Sequence, residues 1–323
     1  MSKAIRLTIL ASVVLAWLCG SALAQGGVTN STKNPQQTAI LHWYPANLTT
    51  SFAVGQSPVG VAFDGASIWV TNRQGQTVTK LRASDGALLG TFGNLDAGPQ
   101  GIVYDGTNIW IGCAGAGVLD KVRASDGAVI GRFNSGGGDF LAFDGANVWV
   151  TNNSLRFGSV AKVRASDGVV LGRFTVGSGP EGVAFDGANI WVTNSGDNTV
   201  TKLRASDGSV LGTFNVGAGP EGIAFDGANI WVADMNDSTV TKLRASDGAV
   251  LGIFSAGSFP QSLAFDGANI WVTNLGSASV TQLRATDGAV LGTFPVGLSP
   301  SGASFDGANL WVANEGSSSV SKL

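Results

Sequence analysis

Histidine, cysteine and charged residues are scarce in this sequence. It has one histidine and two cysteines among 323 residues, and 13% of its residues are charged. This composition supplies too few histidine and cysteine ligands for a zinc-type metal site. The formal net charge is −3. Because binding to nucleic acid needs a basic surface, we expect no nucleic-acid partner.

Apolar runs long enough to cross a membrane are also missing. At the start of the chain, Lys3 and Arg6 precede an apolar stretch over residues 7–18, and Ala22-Leu23-Ala24 has the A-x-A form of a secretory cleavage site. The stretch is too short to span a bilayer comfortably. We therefore predict a signal peptide over residues 1–24, cleaved after Ala24. The mature protein is expected to be secreted or periplasmic, without a membrane span.

Collagen-type and helical periods are absent, but another repeat is present. Glycine is abundant, at 47 residues, while proline contributes only nine, and no G-x-y period occurs, which excludes collagen. A motif of the form F-D-G-A-N-I-W-V occurs seven times. Its tryptophans recur about every 40 residues, at Trp69, Trp110, Trp149, Trp191, Trp231, Trp271 and Trp311. A second motif, R-A-S-D-G, occurs six times, once with threonine in place of serine.

Each repeat contains four short runs with β propensity. In the repeat around Trp191 they cover residues 183–185, 190–193, 199–203 and 210–216. Asp186-Gly187 joins the first two runs and Asp207-Gly208 the last two, and Asp-Gly between apolar runs predicts hairpins with type I′ turns. A four-stranded unit of about 40 residues is typical of a propeller blade. The sequence thus predicts an all-β fold, a seven-bladed β-propeller of four-stranded antiparallel blades.

The two ends of the repeat region complement each other. The chain stops after residues 321–323, which match the third strand of a repeat, so the last blade lacks its fourth strand. Residues 50–55 match a fourth strand and precede the first complete blade. We expect this N-terminal strand to complete the last blade and close the ring. The predicted organisation is a signal peptide (1–24), a polar N-terminal segment (25–46) and the propeller (47–323).

The repeat motifs carry a family resemblance. The strings F-D-G-A-N-I-W-V-T-N, T-V-T-K-L-R-A-S-D-G and L-G-T-F-x-V-G-x-x-P-x-G resemble the repeats of YVTN/NHL-type β-propeller proteins, a group that includes the streptogramin (virginiamycin B) lyase-like propellers. The resemblance covers residues 47–323. It implies that ligands meet the face formed by the loops between blades and between the second and third strands. The lyases use histidines and a glutamate on this face, whereas the single histidine here, His42, precedes the blades.

The candidate ligand residues lie where the repeat is least regular. The position after the inter-blade proline, or its equivalent, varies most: Val59, Gln100, Asp139, Glu181, Glu221, Gln261 and Ser301. The loops between second and third strands add Asp197, Asp234, Asp237 and Glu315, against Arg73 and Arg156. The third repeat departs furthest from the pattern and brings Phe140 and Phe157 into its two loops.

These residues allow two interpretations. One is an acidic, aromatic-edged pocket for a cation, a basic peptide or a sugar-like ligand, because clustered carboxylates focus negative potential. The other is a solubilising acidic rim. The proposed ligand residues are Gln100, Asp139, Phe140, Glu181, Asp197, Glu221, Asp234 and Gln261. No catalytic residue and no metal ligand is assigned, and no cofactor is required, although calcium is kept as a candidate because oxygen ligands suit hard cations.

Most other polar residues of the repeat have a structural explanation. Thirteen of the 22 acidic residues are the aspartates of Asp-Gly pairs, which we assign to turn chemistry. The K-x-R pairs of the third strands, such as Lys202 and Arg204, are expected to form a solvated belt. Cys113 takes the place of an asparagine found in most other repeats, and we interpret it as a small buried filler.

Two functions from different classes remain. The preferred one is a secreted, non-catalytic, monomeric propeller that binds a protein or small-molecule ligand on its variable acidic face. The alternative is a streptogramin-lyase-like or lactonase-like enzyme that uses loop carboxylates, with or without a divalent metal. The near-identity of the repeats favours the scaffold, because a catalytic site breaks symmetry with chemically diverse residues.

Overall fold

The propeller prediction is confirmed by the strand pairing. The computed structural model describes residues 50–153 and 158–323. They form 28 strands and one 3₁₀ turn, Glu315–Ser317, and the strands make seven separate four-stranded antiparallel sheets. Within these ranges no helix is long and apolar enough to cross a membrane. The predicted signal peptide, the 25–46 segment and His42 lie outside the described residues.

Each sheet is one blade, and the first strand of each blade contacts the first strand of the next all the way round. The first strands are β2 (Pro58–Phe63), β6 (Pro99–Tyr104), β10 (Leu141–Phe143), β14 (Pro180–Phe185), β18 (Pro220–Phe225), β22 (Pro260–Phe265) and β26 (Pro300–Phe305). The second strands are β3 (Ser67–Asn72), β7 (Asn108–Cys113), β11 (Asn147–Asn152), β15 (Asn189–Asn194), β19 (Asn229–Asp234), β23 (Asn269–Asn274) and β27 (Leu310–Asn314). Blades 1 to 7 are numbered in this order.

The third and fourth strands complete the blades toward the rim. The third strands are β4 (Thr77–Arg82), β8 (Val118–Arg123), β12 (Ser159–Arg164), β16 (Thr199–Arg204), β20 (Thr239–Arg244), β24 (Ser279–Arg284) and β28 (Ser319–Lys322). The fourth strands of blades 1 to 6 are β5 (Leu88–Phe92), β9 (Val129–Phe133), β13 (Val170–Thr175), β17 (Val210–Asn215), β21 (Val250–Ser255) and β25 (Val290–Pro295). The fourth strand of blade 7 is β1 (Ser51–Ala53).

The N-terminal strand closes the ring as expected. Phe52 pairs with Val320 in the antiparallel register of β1 and β28. The backbone N–H of Lys322 donates to the carbonyl of Thr50 at 2.7 Å, and the N–H of Val54 donates to Ser318 at 3.1 Å. These bonds pair the edge of β28 and make β1 the fourth strand of blade 7.

The core is a tryptophan unit repeated between blades. In each blade the tryptophan indole N–H donates to the aspartate five residues earlier, at 2.7–2.8 Å. The ring then lies 5.4–5.7 Å from a phenylalanine of the fourth strand. Burial of such a large side chain removes on the order of 150–250 Å² from water. Seven such units make the apolar layer that joins the blades.

The Asp-Gly turns lie where the sequence places them, but they are not type I′. That turn needs positive φ at both central residues, whereas Gly187 and Gly208 have positive φ and Asp186 and Asp207 do not. The aspartate acts through its side chain instead: Oδ1 of Asp186 accepts the N–H groups of the second and third residues after it, at 2.9 and 2.6 Å. Turn chemistry therefore explains these aspartates, together with the tryptophan bond.

The prediction of a solvated belt of lysine and arginine holds for the arginines and is wrong for the lysines. The arginines are exposed and pair with the aspartate three residues later, as Arg204 does with Asp207 at 3.0 Å. The lysines are not solvated. Lys202 is 8% exposed, lies 4.9 Å above the Trp191 ring and donates to the carbonyl of Ala245 in the next blade at 2.6 Å. Long apolar stems and a cation–π contact let these lysines bury their length against the core.

Candidate functional site

The first strands surround a central channel. A cavity of about 160 Å³ is lined by residues of all seven first strands or the residue just before them. Glycine makes this packing tight: a Cβ on Gly182 would lie 2.4 Å from the carbonyl oxygen of Glu221 in the next blade. The hydroxyl of Thr193 donates to that same carbonyl at 2.7 Å. The backbone that presents Glu221 is therefore fixed by the neighbouring blade.

Three carboxyl residues from consecutive blades each lie one residue before a residue that lines this cavity, at the entrance to the first strands. Asp139 precedes β10 in blade 3, and Glu181 and Glu221 are the second residues of β14 and β18 in blades 4 and 5. All three are half-buried. We call Asp139, Glu181 and Glu221 the acidic arc. The sequence expected these residues to converge, and the structure brings them together.

Asn153 links two members of the acidic arc. Its side-chain Nδ2 donates to Oε1 of Glu181 at 2.6 Å, and its backbone N–H donates to Oδ2 of Asp139 at 3.1 Å. Among the described residues, no arginine or lysine lies within 4.0 Å of the arc as an ion pair. Asn153 was not among the residues predicted from the sequence, although it follows the second strand at the position occupied by Ser195 in blade 4.

The acidic arc takes up protons readily. Burial, together with the charges of Glu221 and Asp139, raises the pKa of Glu181 to about 8. Burial raises the pKa of Glu221 to about 7. Burial also raises the pKa of Asp139, against the Asn153 hydrogen bond and the charge of Arg73. Near neutral pH the arc therefore holds protons that ordinary carboxyl groups have lost.

Glutamines continue the ring on either side of the arc. Gln100 and Gln261 both line the channel and are half-buried. Oε1 of Gln261 is buried and has no hydrogen-bond partner among the described residues. Val59 and Ser301 complete the ring, and both are buried. At this ring position the residues are thus acidic in blades 3 to 5 and uncharged in the other blades.

Two other acidic candidates hold loops together. Asp234 is fully buried: Oδ1 accepts the N–H of Gly217 at 3.0 Å, and Oδ2 accepts the hydroxyls of Thr239 and Thr241. Its expected position on a solvent-facing rim is therefore wrong, because it replaces the buried asparagine of other blades. Asp197 is exposed, and its Oδ2 accepts the N–H of Ser178 at 2.7 Å, which stabilises the inter-blade loop.

The aromatic edge is described only in part. Phe140 is half-buried, lines the channel and packs on the apolar core between blades 3 and 4. Its backbone N–H donates to the hydroxyl of Thr151 at 2.9 Å. Arg156 and Phe157, the other candidates in blade 3, lie outside the described residues. Phe140 is therefore a wall residue of the channel as well as a core residue.

Cys113 is buried as interpreted from the sequence, but it belongs to a polar cluster. Its thiol lies 3.6 Å from Oδ2 of Asp120, which is itself fully buried. Arg132 lies 3.3 Å from Oδ1 of Asp120 and 3.1 Å from Asp96. Burial and the nearby carboxylates raise the pKa of the Cys113 thiol. Such a thiol is a poor nucleophile, because the thiolate is the reactive form.

The loop face also carries apolar side chains that were not predicted from the sequence as site residues. Phe259 and Leu298, in the loops that lead into β22 and β26, are 45% and 62% exposed. Met235 and Leu275 follow β19 and β23 and are half-buried. The repeat alignment could have found them, because blade 4 has Gly179, Ser178 and Ser195 at these positions.

Among the described residues, no group of three or more histidine, cysteine, aspartate or glutamate side chains is placed to hold a metal ion. The candidate calcium ion therefore stays a prediction.

Solved structures share the fold. The chain is similar to a structure described as streptogramin B lyase, with a TM-score of 0.72 and 18% identity over 84% of this chain and 95% of that one. It is also similar to the hydrazine synthase of Kuenenia stuttgartiensis, with a TM-score of 0.72 and 16% identity over 94% of this chain and 99% of that one. No protein-family model and no curated protein sequence matches the chain.

These similarities confirm the likeness of the chain to streptogramin-lyase-like propellers in fold. The two neighbours carry different names, and at 16–18% identity they transfer no site residue to this chain. Propellers host many functions on one architecture.

Proposed function

We propose that this protein is a secreted, non-catalytic propeller that binds a positively charged ligand group at the mouth of its channel. The observation that carries the proposal is the acidic arc, in which three half-buried carboxyl groups from blades 3, 4 and 5 meet without an ion-paired lysine or arginine among the described residues. The charge of Arg73 acts on Asp139 from outside ion-pair distance. A bound cation would restore the solvation that burial removes. A protein partner or a small molecule could supply that cation.

The electrostatics of the arc favour a cationic ligand. Glu181 and Glu221 hold protons near pH 7 because their ionised forms are poorly solvated and repel each other. A cation at this place stabilises the ionised forms and lowers both pKa values. Binding is therefore coupled to proton release, and affinity should increase with pH between about 6 and 8.

The size of the channel suits a single charged group. A cavity of about 160 Å³ has room for a few water molecules, since each occupies about 30 Å³ in the liquid. The end of one lysine or arginine side chain is of similar size. We therefore favour a side chain or a small cation over a bulky ligand inside the channel.

A thermal melt of residues 25–323 tests this proposal. The ligands are arginine amide, calcium and magnesium, each added at increasing concentration at pH 8. A ligand that binds only the native state raises the midpoint by mass action. We expect a rise with arginine amide that Glu181→Gln with Glu221→Gln abolishes and that Glu315→Gln, the matched control at the third glutamate, retains. A calcium response lost in the same double variant would instead place a metal ion at the arc.

A second candidate function is catalysis by Glu181. A carboxyl group with a pKa of about 8 suits general acid–base chemistry near neutral pH, and the similar fold named streptogramin B lyase belongs to an enzyme. Incubation with a streptogramin B, followed by mass spectrometry of the product, separates the two functions. We expect no turnover. Turnover by the wild type that is lost in Glu181→Gln would make the protein an enzyme.

Secretion and a monomeric state complete the proposal. The predicted signal peptide directs residues 25–323 out of the cytoplasm. Expression of the full chain in a bacterial host, followed by N-terminal sequencing of the periplasmic protein, should show Gln25 as the first residue. Light scattering of the purified protein should give the mass of one chain.

A further inference from the structure

The channel mouth carries apolar side chains where the repeat elsewhere has small or polar ones. Phe259 takes the position of Gly179 and Gly219, directly before the proline of the first strand. Leu298 takes the position of Ser178 in the loop that enters blade 7. These two side chains are 45% and 62% exposed. Most other exposed large apolar side chains of the described residues lie on the outer strands, so these two set the loop face apart as a candidate contact surface.

The fold does not require either side chain. Phe259 has φ of +53°, whereas the glycines at the same position in blades 4 and 5 have φ of +62°. Glycine accepts this conformation without strain, and phenylalanine does not. Phe259 lies against Gly276 of the adjacent turn and still leaves nearly half of its surface in water. Its packing therefore does not explain its presence.

The apolar side chains lie in the loops that lead into the first strands around the channel. Phe259 precedes Gln261, and Leu298 precedes Ser301, by two and three residues, and both Gln261 and Ser301 line the channel. The apolar side chains thus belong to the segments that enter blades 6 and 7, and the carboxyl groups to the segments that enter blades 3 to 5. A ligand that contacts both parts must carry a cation beside an apolar group.

We propose that the channel mouth binds a peptide segment in which an arginine or lysine side chain lies next to an aromatic or large aliphatic side chain. This inference rests on the proposed function and names its ligand class. The basic side chain enters the acidic arc, and the neighbouring apolar side chain covers Phe259 and Leu298. Charge complementarity fixes the first contact, and removal of exposed apolar surface from water supplies the second.

Two peptides of equal charge separate these contacts: N-acetyl-Phe-Arg-amide and N-acetyl-Gly-Arg-amide, titrated calorimetrically into residues 25–323 at pH 8. Three variants each restore the residue found in other blades. Phe259→Gly and Leu298→Ser remove the apolar part of the rim. Ile253→Thr, the control, removes a side chain that is 61% exposed on the outer strand β21 and replaces it by the threonine of β17. All three variants are expected to fold, because each introduced residue occurs at the equivalent position of another blade.

We expect the wild type and Ile253→Thr to bind the Phe-Arg peptide at least about tenfold more tightly than the Gly-Arg peptide. Phe259→Gly and Leu298→Ser should reduce this ratio while leaving the affinity for the Gly-Arg peptide unchanged. Equal affinities of the two peptides for the wild type would overturn the inference and leave the cation site standing. If neither peptide binds, both the inference and the proposed function are wrong.

Discussion

The Phe52 ring, from the first described strand, lies 5.5 Å from the Trp311 ring in the last blade. On its other side it contacts Gly86 of blade 1, where a Cβ would lie 2.1 Å from the ring. One side chain near the N-terminus therefore packs between the last blade and the first. The same arrangement of phenylalanine, tryptophan and glycine joins blades within the chain, for instance through Phe214 and Gly248.

Phe52→Ala should destabilise the protein by about 2–4 kcal/mol, because it removes a large ring from the contact that closes the propeller. Phe294→Ala is the matched control. That ring packs on Trp271 in the same way, but blade 7 has no R-A-S-D-G turn to cover it. Urea unfolding should show the larger loss for Phe52→Ala. An equal or larger loss for Phe294→Ala would contradict this account of closure, as would deletion of residues 47–55 without a loss of stability.

The buried lysines should contribute more to the free energy of unfolding than the exposed arginines. Lys202→Gln loses hydrogen bonds to the carbonyls of Ala245 and Ser246 and a cation–π contact, and should cost about 1–3 kcal/mol. Arg204→Gln breaks an exposed ion pair and should cost less than about 1 kcal/mol.

Gln282 provides the reciprocal test of the lysines. It occupies the lysine position in blade 6, where the next blade has no R-A-S-D-G turn whose carbonyl oxygens could accept the amine. Gln282→Lys should therefore bring no stability in thermal unfolding. A gain similar to the loss in Lys202→Gln would show that the inter-blade carbonyl is not what holds these amines.

The polar cluster of blade 2 should behave as one unit. Arg132→Thr leaves the fully buried Asp120 without its arginine and should destabilise the protein by about 1–3 kcal/mol. Adding Cys113→Asn and Asp120→Thr installs the uncharged asparagine–threonine pair of blade 4, where Asn194 bonds to Thr201 at 2.9 Å. The triple variant should recover most of the loss. If its loss exceeds that of Arg132→Thr, the cluster is not equivalent to the neutral pair.

Stability should decrease as the pH rises from about 5 to 8. The folded pKa of Glu181, about 8, lies above its ordinary value of 4.5. The folded protein therefore keeps a proton that the unfolded chain releases, so the stabilisation that this proton provides is full below about pH 4.5 and is lost by about pH 8. Glu181→Gln should gain on the order of 2–4 kcal/mol relative to wild type at pH 8.5 compared with pH 4.5. A pH-independent difference, with Glu315→Gln as control, would show that Glu181 ionises normally.

The repeat made the fold readable from the sequence. Seven tryptophans at near-constant spacing and complementary chain ends predicted both the blade number and the closure. The start of the first strand in the repeat around Trp191 was missed: the sequence placed it at Val183, whereas β14 begins at Pro180. Proline, glutamate and glycine have low β propensity, and the approach of the neighbouring blade overrides that preference here.

The sequence predicted the site correctly only where a charged residue also occupied the variable position after the inter-blade proline. The acidic arc followed from the variable residue after the proline. Asp234 was misplaced because its side chain looks like a surface charge in sequence, whereas two threonine hydroxyls and an N–H compensate its burial. The prediction that the lysines are solvated was wrong for the same reason: their amines donate to carbonyl groups of the next blade, which a local sequence pattern does not reveal.

The most direct test of the cation site is calorimetric titration of N-acetyl-Gly-Arg-amide into the protein at pH 7 in two buffers of different ionisation enthalpy. The account predicts binding with release of protons, because the cation ionises Glu181 and Glu221, and it predicts that Glu181→Gln with Glu221→Gln loses both the binding and the proton release. Binding that persists unchanged in the double variant, or no binding to the wild type, would contradict the account.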